Sequence, residues 1–583
     1  MTIFANYRLR LMRLMWPILV AVLLLIGSAD AAPPHPGLIL RLATGDAVLP
    51  YYLEHLDEAR SKGIDQVRTG IGTAIKSANG SLSLSPNVVG QFRVLAILVD
   101  FDDNVAAVPG GSFDSLIFGS QGATVSEYYR EVSYDLVQLA SVDLPSEVGW
   151  QRAPEDYAYY VNNSNGTGAY PNNSQKLVED LVDLVDPLVD FSNYDNNDDG
   201  EVDGLLVIHA GRGAEYGGGS DVIWSHKWNI NNRYRDGVNI SSYTIQPEFL
   251  SVPGDQTIGV IAHELGHVFG LPDLYDTDYS SNGVGKWGLM SFGSWLGPQG
   301  KGESPSHLCA WSKMQLGWLT PLDVIDALTA ETILNAEQND IAYRLYSADT
   351  VDGEYFLIEN RQRIGFDSYL PATGLLIWHI DDAQSNNSGE WYPGLATSTH
   401  YQVALEQADG LYELEHKGDH GDAGDPFPGS FSRTSFNSST VPSSDTYAGA
   451  VTTVFVENIS FVGTVASADL SSGMSGGGLS GGGDDDEPLV PRKVELAQNY
   501  PNPFNPSTTI SFTTGNAAHA LVEVFNSLGR KVATLLDRNV PAGQTSVLFD
   551  AVDDNNGQLA SGVYYYRIVI GKHEDSKKMV LIR

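Results

Sequence analysis

The sequence predicts a multidomain protein: an α/β domain first, a β-rich region after it, and a small antiparallel β-sandwich at the C-terminal end. Three observations carry this. The 583 residues exceed what one hydrophobic core organises. Apolar strand-like runs alternate with helical periodicity up to residue 320, and short aromatic and β-branched runs between Gly, Asn and Asp turns follow. Residues 471–487 (SSGMSGGGLSGGGDDDE) read as a flexible linker before a last module of common domain size.

Composition narrows the class. A hydrophobic content of 42% and an aromatic content of 10% suit globular folding, and 60 glycines suggest many turns. The formal net charge of -38 argues against nucleic-acid binding and fits a secreted, soluble, calcium-binding chain. The single cysteine, Cys309, excludes an internal disulfide. The stretch Ser304–Trp311 reads as a capped helix start with Pro305 near its first position, and Cys309 in it as a buried, inert thiol; a thiol nucleophile is the alternative.

In chain order, residues 1–31 read as an export signal. Arg8, Arg10 and Arg13 precede the apolar run Trp16–Ile26, and Ala29-Asp30-Ala31 is an A-x-A cleavage site; an uncleaved anchor is the alternative. Residues 32–90 form a propeptide or N-terminal segment. Residues 91–320 form the α/β domain. It opens with a buried strand at Arg93–Phe101. Thr124 and Glu127 stand at capping-box spacing. Gln175–Val185 has the pattern of an amphipathic helix stopped by Pro187, and Leu205–His209 that of a second buried strand. Residues 321–470 are the β-rich region, with Tyr355–Ile358 and Leu375–Trp378 as its clearest strands. Residues 488–583 form the last module, where Leu521–Phe525 and Tyr564–Ile570 suggest an Ig-like sandwich.

The chemistry concentrates at Ala262–Asp273 (AHELGHVFGLPD), which contains an H-E-x-x-H motif. On a helix, His263 and His267 lie one above the other on one face, so both imidazoles can reach one metal ion. Glu264 stands where it can take a proton from an attacking water. Gly270 can end the helix and Pro272 cannot continue it, so the chain turns and Asp273 can return as a third ligand. Three protein ligands leave a fourth position open, as in catalytic rather than structural zinc sites. The pattern is that of metzincins with Asp273 in place of the third histidine; Met290, in Gly288–Ser291, supplies the Met-turn.

The segment His263–Asp276 (HELGHVFGLPDLYD) resembles the immune-inhibitor-A type of secreted bacterial metallopeptidase. So do Ile223–Trp228, the Met290 turn, Ala310–Lys313 with Leu316–Trp318, and Tyr355–Asp381, a likeness running from about Phe92 to the 430s. The resemblance implies a metzincin-like catalytic fold, zinc on His263, His267 and Asp273, Glu264 as general base, and proteins or peptides outside the cell as substrates. Asn499–Ile510, Asn526–Val532 and Ser561–Arg567 resemble the C-terminal sorting domain of type IX secretion substrates. That implies passage through the periplasm to the cell surface or medium, with the type IX machinery as partner. An adhesion or spacer domain is the alternative for this module.

A second metal is expected at Asp195–Asp203. Asp195, Asn197, Asp199, Glu201 and Asp203 offer oxygens around Gly200, the first part of an EF-hand-like loop without its closing glutamate; the expected ion is a structural calcium, and a solvated acidic turn is the alternative. Asp419–Asp425 is either a calcium cluster or a Gly/Asp turn. His226, His307, His379 and His420 lack ligand spacing. For the whole chain, two alternatives stand beside the peptidase reading: a catalytically silent surface adhesin, and a zinc hydrolase of a non-peptide bond.

Overall fold

The computed structural model describes residues 31–64, 75–76, 82–83, 88–347, 354–395 and 399–472, and, in the last module, 495–496, 499, 502, 504–514, 518–526, 530–540, 543–549, 551–552, 557–570 and 573–582. The expected export signal, save Ala31, and all but the first two residues of the expected linker lie outside these. The chain divides into two compact units, Met1–Gly476 and Gly477–Arg583.

At the centre of the first unit is a five-stranded sheet. Its strands are β1 (Leu95–Asp100), β2 (Trp150–Arg152), β3 (Leu205–Arg212), β4 (His226–Arg235) and β5 (Val238–Phe249), in the order β2-β1-β3-β5-β4. All neighbours are parallel except the edge strand β4, which runs antiparallel to β5. Side chains alternate along β1 and β3, and both faces are buried, which is why these strands read as continuous apolar runs. Ala96, Leu98, Leu206 and Ile208 face one apolar cluster, with Tyr128, Tyr129, Ile261 and Leu265. Leu95, Ile97, Leu205 and Val207 face another, with Leu177, Leu181 and Val185.

Five of the helices matter for the site and its frame: α1 (Pro36–Thr44), α2 (Val125–Val132), α3 (Ser174–Val185), α4 (Ile258–Val268) and α5 (Ala310–Gln315). Thr124 caps α2 by accepting the Glu127 amide at 3.1 Å. Asn173 caps α3 by accepting the Lys176 amide at 3.2 Å. The helix expected from Ser304 starts only at Ala310. Ser306 and His307 lie instead outside any helix or strand, the His307 amide donating to the Asp367 carboxylate at 2.8 Å. Cys309 is fully buried, as expected.

The apolar core continues across residue 320. Strands Leu322–Asp323, Tyr343–Tyr346, Glu354–Arg361, Gly374–Asp381 and Val403–Leu405 form a sheet in that order. One face, with Leu357, Leu376 and Trp378, joins the cluster under α4. The other, with Phe356, Ile358 and Ile377, packs on a four-stranded sheet through Val456, Ala466 and Leu470. Arg361 is buried where these parts meet. It binds Asp367 in a fork at 2.7 and 2.8 Å, and donates to Glu359 and to the Trp287 carbonyl, each at 3.3 Å. Trp287 opens the turn that carries Met290, so a β-region arginine holds that turn from outside.

Among its described residues, the second unit has two antiparallel sheets, one of three strands and one of four. They share an apolar cluster that includes Phe504, Ile510, Val522, Val524, Tyr566 and Ile568.

Removing one partner of a buried ion pair strands the other charge. Arg361→Ala is therefore expected to lower unfolding free energy by about 3–5 kcal/mol in urea titration, and a loss below about 1 kcal/mol would contradict this role for the cluster.

Candidate metal centre

α4 places the motif on a buried helix. His263, Glu264 and His267 are all fully buried, and Asp273 is 2% exposed. Two glycines let the surroundings approach closely. A Cβ at Gly266 would stand 2.5 Å from the Met290 sulfur, and one at Gly259 would collide with the Ser294 carbonyl oxygen. Met290 thus packs directly beneath the helix turn that carries both histidines. Gly270 takes φ 99°, the left-handed conformation that turns the chain so that Asp273 comes back.

Each imidazole is oriented by a backbone carbonyl: His263 Nδ1 bonds Leu289 O at 3.0 Å and His267 Nδ1 bonds Leu271 O at 2.9 Å. A carbonyl only accepts, so each Nδ1 carries the hydrogen and, in the neutral ring, each Nε2 is a bare lone pair. Both Nε2 atoms face the same carboxylate oxygen, Asp273 Oδ1, at 3.0 and 3.4 Å. Neither Nε2 nor either Asp273 oxygen has a partner of hydrogen-bond geometry. Lone pairs gathered this way repel unless a positive charge lies among them. Ligands of a tetrahedral zinc, at about 2.0–2.2 Å from the ion, stand about 3.3–3.6 Å apart; the His267 spacing falls in that range and the His263 spacing is a few tenths of an ångström shorter.

The electrostatics follow from burial. Desolvation acts to lower the His263 pKa, but the neighbouring Asp273 carboxylate outweighs it and the pKa rises. Desolvation acts to raise Asp273, and the two histidines more than offset it, so its carboxyl is held below the usual range. Burial pushes the Glu264 carboxyl up to about 8; His263 opposes this, and Asp273 and Glu215 add to it. Neither Glu264 oxygen has a hydrogen-bond partner.

The site is crossed by the chain's own N-terminal segment. Tyr275, whose ring stacks near His263 with centroids 6.4 Å apart, donates its hydroxyl hydrogen to the Ala31 carbonyl and accepts the Ala31 amide at 3.0 Å. The Ala32 amide faces Glu264, pulling its pKa down, while its own bond goes to Ser225 O at 3.3 Å. No pattern in residues 31–33 foretold this.

Among the described residues, three groups of acidic or histidine side chains bring ligand atoms within 4.8 Å of one another: His263–His267–Asp273, Asp409–Asp422–Asp425 and Glu413–Asp419–Asp422. The Asp195–Asp203 loop is not among them. Asp195 accepts the Gly200 amide at 2.8 Å, and Asp199 and Asn197 accept amides within the loop. Asp203 accepts the Asn196 amide at 2.6 Å. Glu201 departs from expectation: its carboxylate turns away to Asn239 and Ser241, each at 2.8 Å, so its side chain does not face the other loop oxygens. His226, His307 and His379 hold structural bonds, to Trp224 O and Tyr243, to Glu131, and to Glu354 and Glu406.

Comparison with known families decides the reading of this region. Residues 110–319 match the family described as immune inhibitor A peptidase M6, catalytic domain. The chain carries an M6 peptidase catalytic domain. All four motif residues lie in the M6 match, which ends before the 355–381 segment. Residues 498–582 match the secretion system C-terminal sorting domain. The chain is similar to the pre-pro-metalloprotease PrtV of Vibrio cholerae serotype O1 at 33% identity, covering 39% of this chain and 30% of PrtV. It is similar to immune inhibitor A of Bacillus thuringiensis subsp. alesti at 30% identity, covering 38% and 40%. The chain thus spans less than half the length of these relatives. The crystal structure of OgpA from Akkermansia muciniphila covers 87% of this chain and 96% of OgpA at 12% identity, with a TM-score of 0.21, too low for any argument about fold.

Metal analysis of the purified protein should find one zinc per chain, and His267→Ala should remove it while far-UV circular dichroism stays unchanged. Stoichiometric zinc in His267→Ala would contradict this ligand set.

Proposed function

We propose that the protein is a secreted zinc metalloendopeptidase that cuts extracellular proteins, with a metzincin-like catalytic fold. The observation that carries this is the convergence of two bare imidazole nitrogens on one buried carboxylate oxygen, one residue from an unpartnered glutamate. The M6 match and the metalloprotease PrtV support the same reading.

His263, His267 and Asp273 would hold the ion. Bound there, zinc supplies a Lewis acid that polarises the peptide carbonyl and makes water a stronger acid. Glu264 takes a proton from the attacking water at its carboxylate and returns it to the leaving amine. Its environment suits both steps, because burial favours the protonated form and the adjacent histidine favours the charged one. The Leu289 and Leu271 carbonyls keep both rings in one tautomer throughout. The intact glutamate argues against a silent adhesin.

Residues 32–90 are proposed as a prosegment, supported by Ala32 lying against Ser225 and Trp224; its departure opens the cleft. For the last module we propose an Ig-like sandwich that directs type IX export, supported by the sorting-domain match. For the Asp195–Asp203 loop we propose a structural calcium, supported by its spacing of oxygens, with Glu201 contributing no side-chain ligand; calcium counted in the same metal analysis tests it.

Glu264→Gln should cut casein hydrolysis by about 10²–10⁴-fold with one zinc retained. Full activity in that variant would defeat the assigned mechanism. Deletion of 488–583 should hold the protein in the periplasm of a host with a type IX exporter, read by fractionation. Normal release of the shortened chain would reduce the module to a spacer.

A further inference from the structure

Resting on the metal-site reading above, we infer that Asn387 is a positioning residue for the zinc ligand Asp273, supplied by the β-rich region from outside the M6 match. The residue next to Asp273 is where the two parts meet. Leu274 donates its amide to the Met290 carbonyl at 2.7 Å. Its carbonyl accepts the Val284 amide at 2.9 Å and the Asn387 side-chain amide at 3.0 Å. Leu274 is thus tied at one end to the Met-turn and at the other to a side chain 113 residues further along. With both of its polar groups bound, Leu274 cannot swing. The Asp273–Leu274 peptide is held in one orientation, and with it the direction in which the Asp273 carboxylate leaves the backbone. The M6 match ends at residue 319, so the donor lies beyond it.

Asn387 is itself locked. It is fully buried. Its Nδ2 donates to Leu274 O and, at 2.7 Å, to Val403 O, while its Oδ1 accepts the Val403 amide at 3.0 Å. Both hydrogens of the amide nitrogen are engaged, so its partners fix how the group points. Val403 opens the strand Val403–Leu405 at the edge of the second five-stranded sheet, paired with Gly374–Asp381. Asn387 therefore passes the position of that sheet to Leu274. Neighbouring pairs follow in the same order along both segments, Thr277 with Ser388 and Ser280 with Glu390, each at 2.9 Å. Gly283 admits the second donor: a Cβ there would stand 2.2 Å from the Leu274 oxygen, so a side chain would push Val284 away from it.

Asn360 separates positioning from packing. It too is fully buried in the β-rich region, and it too donates to a pair of main-chain carbonyls, those of Ile333 and Thr464, each at 2.9 Å. Ile333 ends a strand of the four-stranded sheet, and its side chain belongs to the apolar cluster on the face away from α4. Loss of either asparagine leaves buried carbonyls without their donor, at a similar cost in stability. Only loss of Asn387 frees a group adjoining a metal ligand. Partners that orient a ligand without touching the ion are typically worth about 10–100-fold in metal affinity.

The test is competition for zinc between the purified full-length protein and a chelator of graded concentration, beside thermal unfolding of the same samples. Asn387→Ala should weaken zinc binding by about 10–100-fold, while Asn360→Ala, with a comparable fall in Tm, should leave it unchanged. Where Asn387→Ala fails to fold, Asn387→Ser, which is shorter and carries one donor hydrogen, should shift the affinity in the same direction. Unchanged zinc affinity in the Asn387 variant, or an equal loss in Asn360→Ala, overturns the inference and leaves the peptidase reading standing. An unaltered protein that takes up no zinc overturns the metal-site reading, and the inference falls with it.

Discussion

Two imidazole nitrogens with exposed lone pairs meet one carboxylate oxygen in a site closed to solvent, and the rest of the first unit is arranged to keep them there. A buried charge costs far too much unless paired. Here the two imidazoles gather on the Asp273 carboxylate, the arrangement proposed above to hold a cation. The carbonyls of Leu289 and Leu271 set the ring tautomers, Gly270 returns the chain, and Met290 supports the helix turn above it. Each contribution is short-range and backbone-based, which makes the geometry rigid before any substrate arrives.

Rigidity comes from beyond the matched M6 segment. The turn that carries Met290 begins at Trp287, whose carbonyl accepts from Arg361 and whose indole donates to Asp425 at 2.8 Å. Both partners belong to the β-rich part of the chain. The core shared across residue 320 makes physical sense of this: the second five-stranded sheet sends Leu357, Leu376 and Trp378 into the same apolar cluster as Leu265, Leu289 and Met290.

The zinc motif was legible because ligand spacing on a helix is a local property. His263, Glu264 and His267 are read from four-residue periodicity, and Gly270 with Pro272 from turn chemistry. The buried strands β1 and β3 were legible for a similar reason, since continuous apolar runs with β-branched residues have few other uses. The helix expected at Ser304 was misplaced because long-range bonds, the His307 amide donating to Asp367 among them, hold the preceding residues out of the helix. The acidic loop shows the same limit. Spacing suggested converging oxygens, but Asn239 and Ser241, distant in sequence, draw the Glu201 side chain away. Nothing local announces that Ala31–Pro33 cross the cleft, because the indoles and hydroxyl that hold them come from Trp224, Tyr275 and Trp295.

X-ray absorption at the zinc edge on the purified protein probes the central claim most directly. The account predicts a first shell of nitrogen and oxygen only, at about 2.0–2.2 Å, with the multiple-scattering signature of two imidazoles. A sulfur shell at about 2.3 Å, or a protein that hydrolyses peptides with no metal bound, would contradict it.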